Sequence, residues 1–150
     1  MTLRDDQVRR YSRHILLPDI GGVGQERLLS AAVSVDVTPP AGAAGVALAY
    51  LAAAGIGAIR LRGDVAAPIG ERDVRSGILY GVADLGRPRA EVIVERLRAL
   101  NPDVEVSIGE AGTTLALPGA SDAEDNVCTA LVTGGAAAGA LIAAIARGSA

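Results

Sequence analysis

The sequence predicts one α/β domain built on a mostly parallel sheet. The prediction rests on the alternation of β-branched runs with longer helical segments. Strands that are joined through helices in this way are usually parallel. The length of 150 residues suits a single domain that folds without a disulfide or a metal. Half of the residues are hydrophobic, yet only three are aromatic, so the core must consist of Ala, Val, Leu and Ile.

Helical segments open the chain. The spacing of apolar residues predicts a first helix that begins with a Thr2–Asp5 capping box and ends before Pro18. The glycine-rich residues 21–24 are interpreted as a helix breaker before a short helix at 25–31. We therefore assign residues 1–31 to an N-terminal helical arm and residues 32–150 to the sheet domain, both within one compact unit.

Strands and helices then alternate. The β-branched or alternating segments predicted as strands are 32–37, 56–61, 104–108 and 127–133. The segments predicted as helices are 41–54, 88–100 and 136–147, with mainly loop at 63–77 and a turn-rich stretch at 109–126. This order predicts a truncated Rossmann-like fold: a mostly parallel four-stranded sheet with helices on both faces, preceded by the arm.

Missing residue types exclude several chemistries. All 14 basic residues are Arg, so neither a Schiff-base Lys nor a P-loop Lys exists. His14 and Cys128 are the only residues of their kinds, which excludes a zinc site with two His ligands and an intrachain disulfide. We expect His14 on a helix surface and Cys128 buried in an apolar strand.

Charge and hydropathy favour a cytoplasmic protein. The net charge of −3 argues against a nucleic-acid surface. The N-terminus is charged, and no unbroken apolar stretch reaches the roughly 20 residues of a membrane span. We expect neither a nucleic-acid partner nor a membrane.

Several motifs resemble one protein family. Arg-Tyr-Ser-Arg-His-Ile-Leu-Leu-Pro at 10–18 and Gly-Gln-Glu-Arg-Leu at 24–28 resemble the N-terminus of the ThiF/MoeB adenylyltransferases, which belong to the ubiquitin-activating-enzyme superfamily. Residues 50–57 resemble the end of that family's first nucleotide-fold helix, and residues 86–106 resemble the helix and strand after its active-site loop. The similarity covers about residues 8–108, whereas residues 109–150 match only in pattern.

The resemblance implies adenylation of the C-terminal glycine of a ubiquitin-like sulfur carrier, with ATP and Mg²⁺. That chemistry needs backbone N–H groups for the phosphates, a cationic clamp and an Asp for the metal. The family's Gly-x-Gly-Gly-x-Gly loop corresponds here to residues 39–44, where only Gly42 is a glycine. Pro39 and Pro40 lack N–H groups, and the loss of two bonds of about 1.5–3 kcal/mol each predicts weak nucleotide binding.

The other nucleotide contacts implied by the resemblance are vestigial. Asp64 lies about one position out of register with the family's ribose-binding carboxylate. Arg75 matches the family's nucleotide-contacting Arg only after a one-residue slip. Arg89 takes the place of the catalytic Lys, where it keeps the charge without the geometry; a surface charge at a helix start is the simpler interpretation.

No metal site is expected, and one acidic residue has two interpretations. The stretch 132–136 after the predicted fourth strand holds no carboxylate, while the acidic residues at 122, 124 and 125 precede that strand.

Asp36 lies in the first strand. It is either a buried carboxylate with a partner or a raised pKa, or a strand-end residue paired with an Arg. The family's second half, with its carrier-binding surface, is missing from this sequence.

The N-terminal arm is the part of the chain that most closely resembles the ThiF/MoeB family. In the family an arm Arg reaches across a two-fold dimer into the neighbour's ATP site; Arg13 matches that position and Arg10 is nearby. This favours a pseudoenzyme without catalytic residues or a bound cofactor, a scaffold that forms a homodimer or a heterodimer with a catalytic homologue. The predicted strand at 127–133 would be an unprotected edge, covered by the second subunit or by 109–126.

Two alternatives stay open. The chain is either a degraded but active adenylyltransferase that uses Mg-ATP, or a protein that presents a carrier or peptide without nucleotide. Calorimetry with Mg-ATP and peptide-binding measurements distinguish them.

Overall fold

A parallel sheet of four short strands organises the chain. The computed structural model describes residues 3–38, 42–117 and 126–150. The strands are β1 (Ala32–Asp36), β2 (Ala58–Arg62), β3 (Glu105–Ile108) and β4 (Thr113–Thr114). They lie in the order β3-β2-β1-β4, and every pairing is parallel. The predicted α/β class and Rossmann-like parallel sheet are confirmed.

Helices precede and connect the strands of this sheet. Those in the described ranges are α1 (Asp5–Arg10), α2 (Ser12–Ile15), α3 (Gly21–Ser30), α4 (Gly42–Ala54), α5 (Glu71–Ser76), α6 (Arg89–Leu100) and α7 (Val127–Arg147), with a 3₁₀ turn at Val82–Asp84. Helices α4 and α6 connect successive strands and agree with the predicted helices. Leu51 of α4 and Ile93 of α6 join Val33 of β1 in the hydrophobic core, which fixes both helices on the sheet.

The two faces of the sheet differ in polarity. Val35 is paired with Leu61, and both are fully buried under the helices. Because successive strand residues alternate between faces, the residues next to Val35 and Leu61 along their strands, and those in register with them on β3, point to the opposite face. Apart from Ala32 and Ala58 at the strand starts, they are polar: Ser34, Asp36, Arg60, Arg62, Glu105 and Ser107. Strands buried on both faces are apolar almost throughout, so this second face is a half-exposed polar surface.

The predicted strand at 127–133 is wrong. These residues begin α7, and the fourth strand is instead Thr113–Thr114, inside the stretch predicted as turns. The Val and Thr residues at 127–133 favour a strand locally, but Asn126 caps a helix by accepting the N–H of Thr129 at 3.0 Å. A 21-residue helix then packs along α4, and that packing overrides the local preference. The observed β4 pairs with β1.

The crossing of α7 over α4 depends on Gly134. A Cβ at Gly134 would overlap the carbonyl oxygen of Ala43 and lie 2.9 Å from the Cβ of Val46. Gly139, on the same helix, faces open space. The close approach of the two helices therefore explains a glycine inside a helix, where glycine is otherwise unfavourable.

Two smaller predictions also fail. Residues 21–24 do not break a helix but form the start of α3, where a Cβ on Gly24 would lie 3.2 Å from the Cβ of Ala146 in α7. Cys128 is exposed in the first turn of α7 rather than buried in a strand. The predicted capping residue Thr2 lies outside the described residues, and the N–H of Arg4 donates to Gln7 Oε1 at 3.1 Å at this helix start.

Tyr11 anchors the arm to the sheet domain. Its ring fills the space beside Gly55, where a Cβ would lie 2.7 Å from Tyr11 Cε1. Its hydroxyl donates to Asp103 Oδ2 at 3.1 Å and accepts from Asn101 Nδ2 at 2.8 Å. Burial raises the pKa of Tyr11 to about 12, so this hydroxyl remains a donor at neutral pH.

Candidate functional site

The carboxyl ends of β1 and β2 form the edge where open α/β sheets bind ligands. Asp36 ends β1, and Gly63 and Asp64 follow β2. The prolines at 39 and 40 lie outside the described residues, as does residue 41. The loss of phosphate donors in that turn therefore stays a prediction from the sequence.

Arg89 is the central residue at this edge. Its side chain is fully buried, and Nη1 donates to the carbonyl oxygen of Val37 at 2.7 Å. Nη2 donates to Asp73 Oδ2 at 2.8 Å. The interpretation of Arg89 as a surface charge is therefore wrong. The residue does begin a helix, but its guanidinium turns inward because a strand-end carbonyl and a carboxylate both accept from it.

Asp73 holds Arg89 from α5. Its Oδ2 also accepts the N–H of Gly70 at 3.0 Å, which fixes the first turn of the helix. Sequence reasoning missed a role for Asp73 because it lies in a polar stretch interpreted mainly as loop. A signal was present, since an acidic side chain three residues after a helix-capping position is typical of a helix start.

Gly42 packs against the end of α5. A Cβ at Gly42 would lie 2.6 Å from the carbonyl oxygen of Ser76 and 3.0 Å from its Oγ. Any larger residue would push α5 away from α4. The one glycine retained in the register of the family's loop thus has a packing role in this structure.

Two buried polar atoms near Arg89 have no hydrogen-bond partner within the described ranges. They are Nε of Arg89 and the hydroxyl of Tyr80. Burial raises the pKa of Tyr80 far above its ordinary value. We call Val37, Asp73, Tyr80 and Arg89 the Arg89 cluster. Because an unsatisfied buried group costs about 1–3 kcal/mol, this polar cluster is held at an energetic cost.

The N-terminus of α6 is already occupied by the chain itself. The backbone N–H groups of Arg89 and Ala90 donate to the carbonyls of Ala67 and Val65, at 3.0 and 2.9 Å. Free N–H groups at a helix start are the usual cradle for a phosphate. Here the first of these donors are taken by the segment that follows β2.

Asp36 is a strand-end residue paired with an Arg, one of the two alternatives left by the sequence. Its half-exposed carboxylate accepts the N–H of Thr38 at 2.9 Å and lies 3.9 Å from Nε of Arg62. Hydrogen bonds from the side chain and backbone of Thr38, followed by the charge of Arg62, lower the pKa of Asp36. Gly63 has a φ of +81°, and a Cβ there would overlap Asp36.

Asp64 and Arg75 do not join the Arg89 cluster. The N–H of Asp64 donates to Oγ1 of Thr38 at 3.3 Å, and its side chain is exposed. Arg75 is exposed on α5. Of the four residues with an implied nucleotide role, the structure brings Gly42 and Arg89 against the same short helix and leaves the other two apart.

The described residues at this edge do not fit a nucleoside triphosphate. The buried cation is neutralised by Asp73, and two exposed neighbours, Asp36 and Asp64, are carboxylates that repel phosphates. Within 3–38, 42–117 and 126–150, no three acidic, His or Cys side chains cluster as metal ligands would. The acidic residues at 122, 124 and 125 lie outside these ranges.

The two arm arginines have different surroundings. Nε of Arg10 lies 3.2 Å from Asp103 Oδ2, so its charge is used within the chain. Arg13 is exposed on α2 and has no ion pair with the described part of the chain. His14 is half buried beside it, with Nδ1 3.1 Å from Gln25 Oε1. Of these two arginines, Arg13 is the one that another chain could contact.

Comparison with known proteins places these features in context. The ThiF family matches residues 11–124. The probable adenylyltransferase/sulfurtransferase MoeZ of Mycobacterium tuberculosis is 39% identical over 109 residues, which cover 72% of this chain and 26% of MoeZ. The sulfur carrier protein ThiS adenylyltransferase of Escherichia coli is 35% identical over 105 residues, which cover 70% of this chain and 40% of that protein.

Solved structures show the same fold. PaaA has a TM-score of 0.62 at 27% identity, over 71% of this chain and 36% of its own. The tRNA N6-threonylcarbamoyladenosine dehydratase TcdA of E. coli, in complex with AMP, has a TM-score of 0.61 at 25% identity, over 74% of this chain and 43% of its own. The chain spans 26% of the length of MoeZ and 40% of the length of the ThiS adenylyltransferase. Helix α7 begins after residue 124, the last residue of the family match.

Proposed function

Because the chain belongs to the ThiF family, we propose that it is a non-catalytic member, a scaffold subunit that pairs with itself or with a catalytic homologue. The observation that carries this proposal is the environment of Arg89. The residue in the register of the catalytic Lys is bound to Asp73 and to the Val37 carbonyl, with no exposed surface.

The energetics of Arg89 support the proposal. Because the guanidinium has no exposed surface, moving it outward to contact a phosphate would break one or both of these hydrogen bonds. Hydrogen bonds to charged groups contribute about 1.5–3 kcal/mol each, so losing both costs about 3–6 kcal/mol before any ligand is bound. That cost corresponds to a loss of roughly 10²–10⁴-fold in affinity. Release would also leave the Asp73 carboxylate buried without its cation.

The outer face of α7 supports a partner subunit. Apart from Arg147 at its last position, its exposed residues are apolar or glycine: Val127, Cys128, Leu131, Val132, Ala136, Gly139 and Ala140. A helix that is apolar all round is normally buried, so we assign this face to the subunit interface. This moves the expected interface from an edge strand to a helix. The helix also has the length and hydropathy of a membrane span, and 22% of its most apolar 18-residue window is buried. One such helix is weak evidence for a span, and the proposal keeps the cytoplasmic location.

Donation of Arg13 to the partner's site provides the test of this proposal. The chain is combined with a catalytic homologue from the same genome and a sulfur carrier, and ATP–pyrophosphate exchange is measured. Arg13→Ala is expected to lower the partner's rate by about 10²-fold, as loss of a charged transition-state contact does. Arg9→Ala, at another exposed arm arginine, is the matched control. An unchanged rate in a complex that still assembles would refute donation in trans.

The named activities of the relatives favour a second candidate function. Both curated relatives carry adenylyltransferase in their names. In this alternative the chain adenylates a ubiquitin-like sulfur carrier with Mg-ATP, and Gly42, Asp64, Arg75 and Arg89 hold the nucleotide. Pyrophosphate exchange by this chain alone, with a carrier, would favour it over the scaffold.

A solved peptide complex favours a third candidate, a protein that presents a carrier or peptide. MccB of E. coli, solved with MccA-N7isoASN, has a TM-score of 0.55 at 27% identity, over 69% of this chain and 30% of its own. This candidate requires binding of a carrier or peptide in the absence of nucleotide, which calorimetry without ATP measures.

A further inference from the structure

An apolar groove runs between α6 and β3. Its volume is about 480 Å³. Ala90, Val94 and Ile108 form its apolar floor, and Glu91 and Arg98 stand on its rim. The side chain of Ile108 is 65% exposed, which is unusual for an isoleucine in a strand.

The outer edge of β3 has unused backbone groups. β3 is the last strand of the sheet on this side. The N–H groups of Glu105 and Gly109 donate to carbonyls on the β2 side, at 2.8 and 3.0 Å. Because alternate residues of a strand turn their N–H and C=O groups to opposite sides, those of Val106 and Ile108 point away from β2. An open edge of this kind can pair with another extended chain.

The rim charges indicate which extended chain would fit. Glu91 and Arg98 are seven residues apart on α6, about 10.5 Å along the helix axis. Neither forms an ion pair within the described ranges, whereas Glu95 between them is paired with Arg87 at 2.8 Å. Alternate side chains of a strand share a face, so residues four apart lie about 13 Å from each other on one face. Flexible charged side chains at such positions reach both rim groups.

We propose that this groove binds an extended peptide segment of a partner protein as a fifth strand on β3. The segment carries a basic residue facing Glu91, an acidic residue facing Arg98 four positions away, and an apolar residue between them over Val94 and Ile108. Its backbone pairs with Val106 and Ile108. Binding of this segment requires no nucleotide, so the proposal holds whether or not the chain adenylates anything.

The test uses the capped peptide Arg-Thr-Val-Thr-Glu and its reversed sequence, which represent the two directions of strand addition. Amide chemical shifts of the full chain are followed during titration. We expect one peptide of the pair to bind better and to shift amides of β3 and α6. Ile108→Asp is expected to weaken binding at least tenfold, whereas Val82→Asp, at a residue 74% exposed elsewhere, leaves it unchanged.

A charge exchange tests the specificity. The double variant Glu91→Arg/Arg98→Glu changes only exposed side chains and is expected to reverse the preference between the two peptides. Absence of shifts in β3 and α6, or an unchanged preference in the double variant, overturns the proposal. So does a concentration-dependent shift of the same amides without peptide that Ile108→Asp removes, because the occupant is then a second copy of this chain.

Discussion

A guanidinium and an ammonium behave differently at position 89. The planar fork of Arg89 reaches the Val37 carbonyl and the Asp73 carboxylate with separate nitrogens, at 2.7 and 2.8 Å. A Lys side chain ends in one nitrogen, which could not occupy both positions. Arginine rather than lysine at this position therefore supplies a group that links a strand end to α5.

The strength of this link gives a prediction about stability. Asp73→Ala leaves the Arg89 charge buried without a carboxylate, which typically costs 3–5 kcal/mol, so we expect a loss of about that size in urea unfolding. Asp64→Ala removes an exposed carboxylate nearby and should change the free energy of unfolding by about 0.5 kcal/mol or less. Similar small losses for both variants would show that Asp73 and Arg89 are not coupled as described.

The sequence predicted the register of Arg89 but not its burial. The family resemblance locates position 89 at a helix start, and this agrees with the structure. The direction of its side chain depends on Asp73, sixteen residues earlier on a helix of six residues without apolar periodicity. Such a long-range polar contact has no local pattern in the sequence.

Among the elements, α7 departs furthest from its predicted form. Local patterns identified β1, α4, α6 and β3 because each has a clear period or cap. Residues 127–133 combine β-branched and apolar side chains that fit either structure, and packing on α4 decides in favour of a helix. β4 is two residues long, too short to leave a pattern of its own.

The contact between α7 and α4 can be tested with two glycines on one helix. Gly134→Ala places a Cβ against the Ala43 carbonyl and is expected to lower stability by about 1–3 kcal/mol through overpacking. Gly135→Ala, where a Cβ would meet only Tyr50 Cε2 at an ordinary 3.8 Å, should raise stability by about 0.5–1 kcal/mol, since alanine favours a helix. Thermal unfolding followed by circular dichroism measures both. Equal effects of the two substitutions would contradict the described crossing.

For the whole molecule, the unpaired apolar face of α7 predicts self-association or association with a homologue. In sedimentation the chain alone is expected at about twice its mass of 15.1 kDa. The double variant Leu131→Glu/Val132→Glu should shift it to the monomer, because charges on a buried interface are costly. Val82→Glu, at an exposed valine on another surface, is the control. A wild-type chain that stays monomeric with or without a homologue would remove the support for an α7 interface.

Calorimetry of Mg-ATP with the isolated chain decides whether Arg89 is available to a nucleotide. With Arg89 held by Asp73 and Val37, we predict no saturable binding below a Kd of about 1 mM, a free energy weaker than roughly −4 kcal/mol. A catalytic ThiF-family protein in the same buffer serves as the positive control. Stoichiometric, magnesium-dependent binding in the micromolar range, abolished by Arg89→Ala, would contradict it.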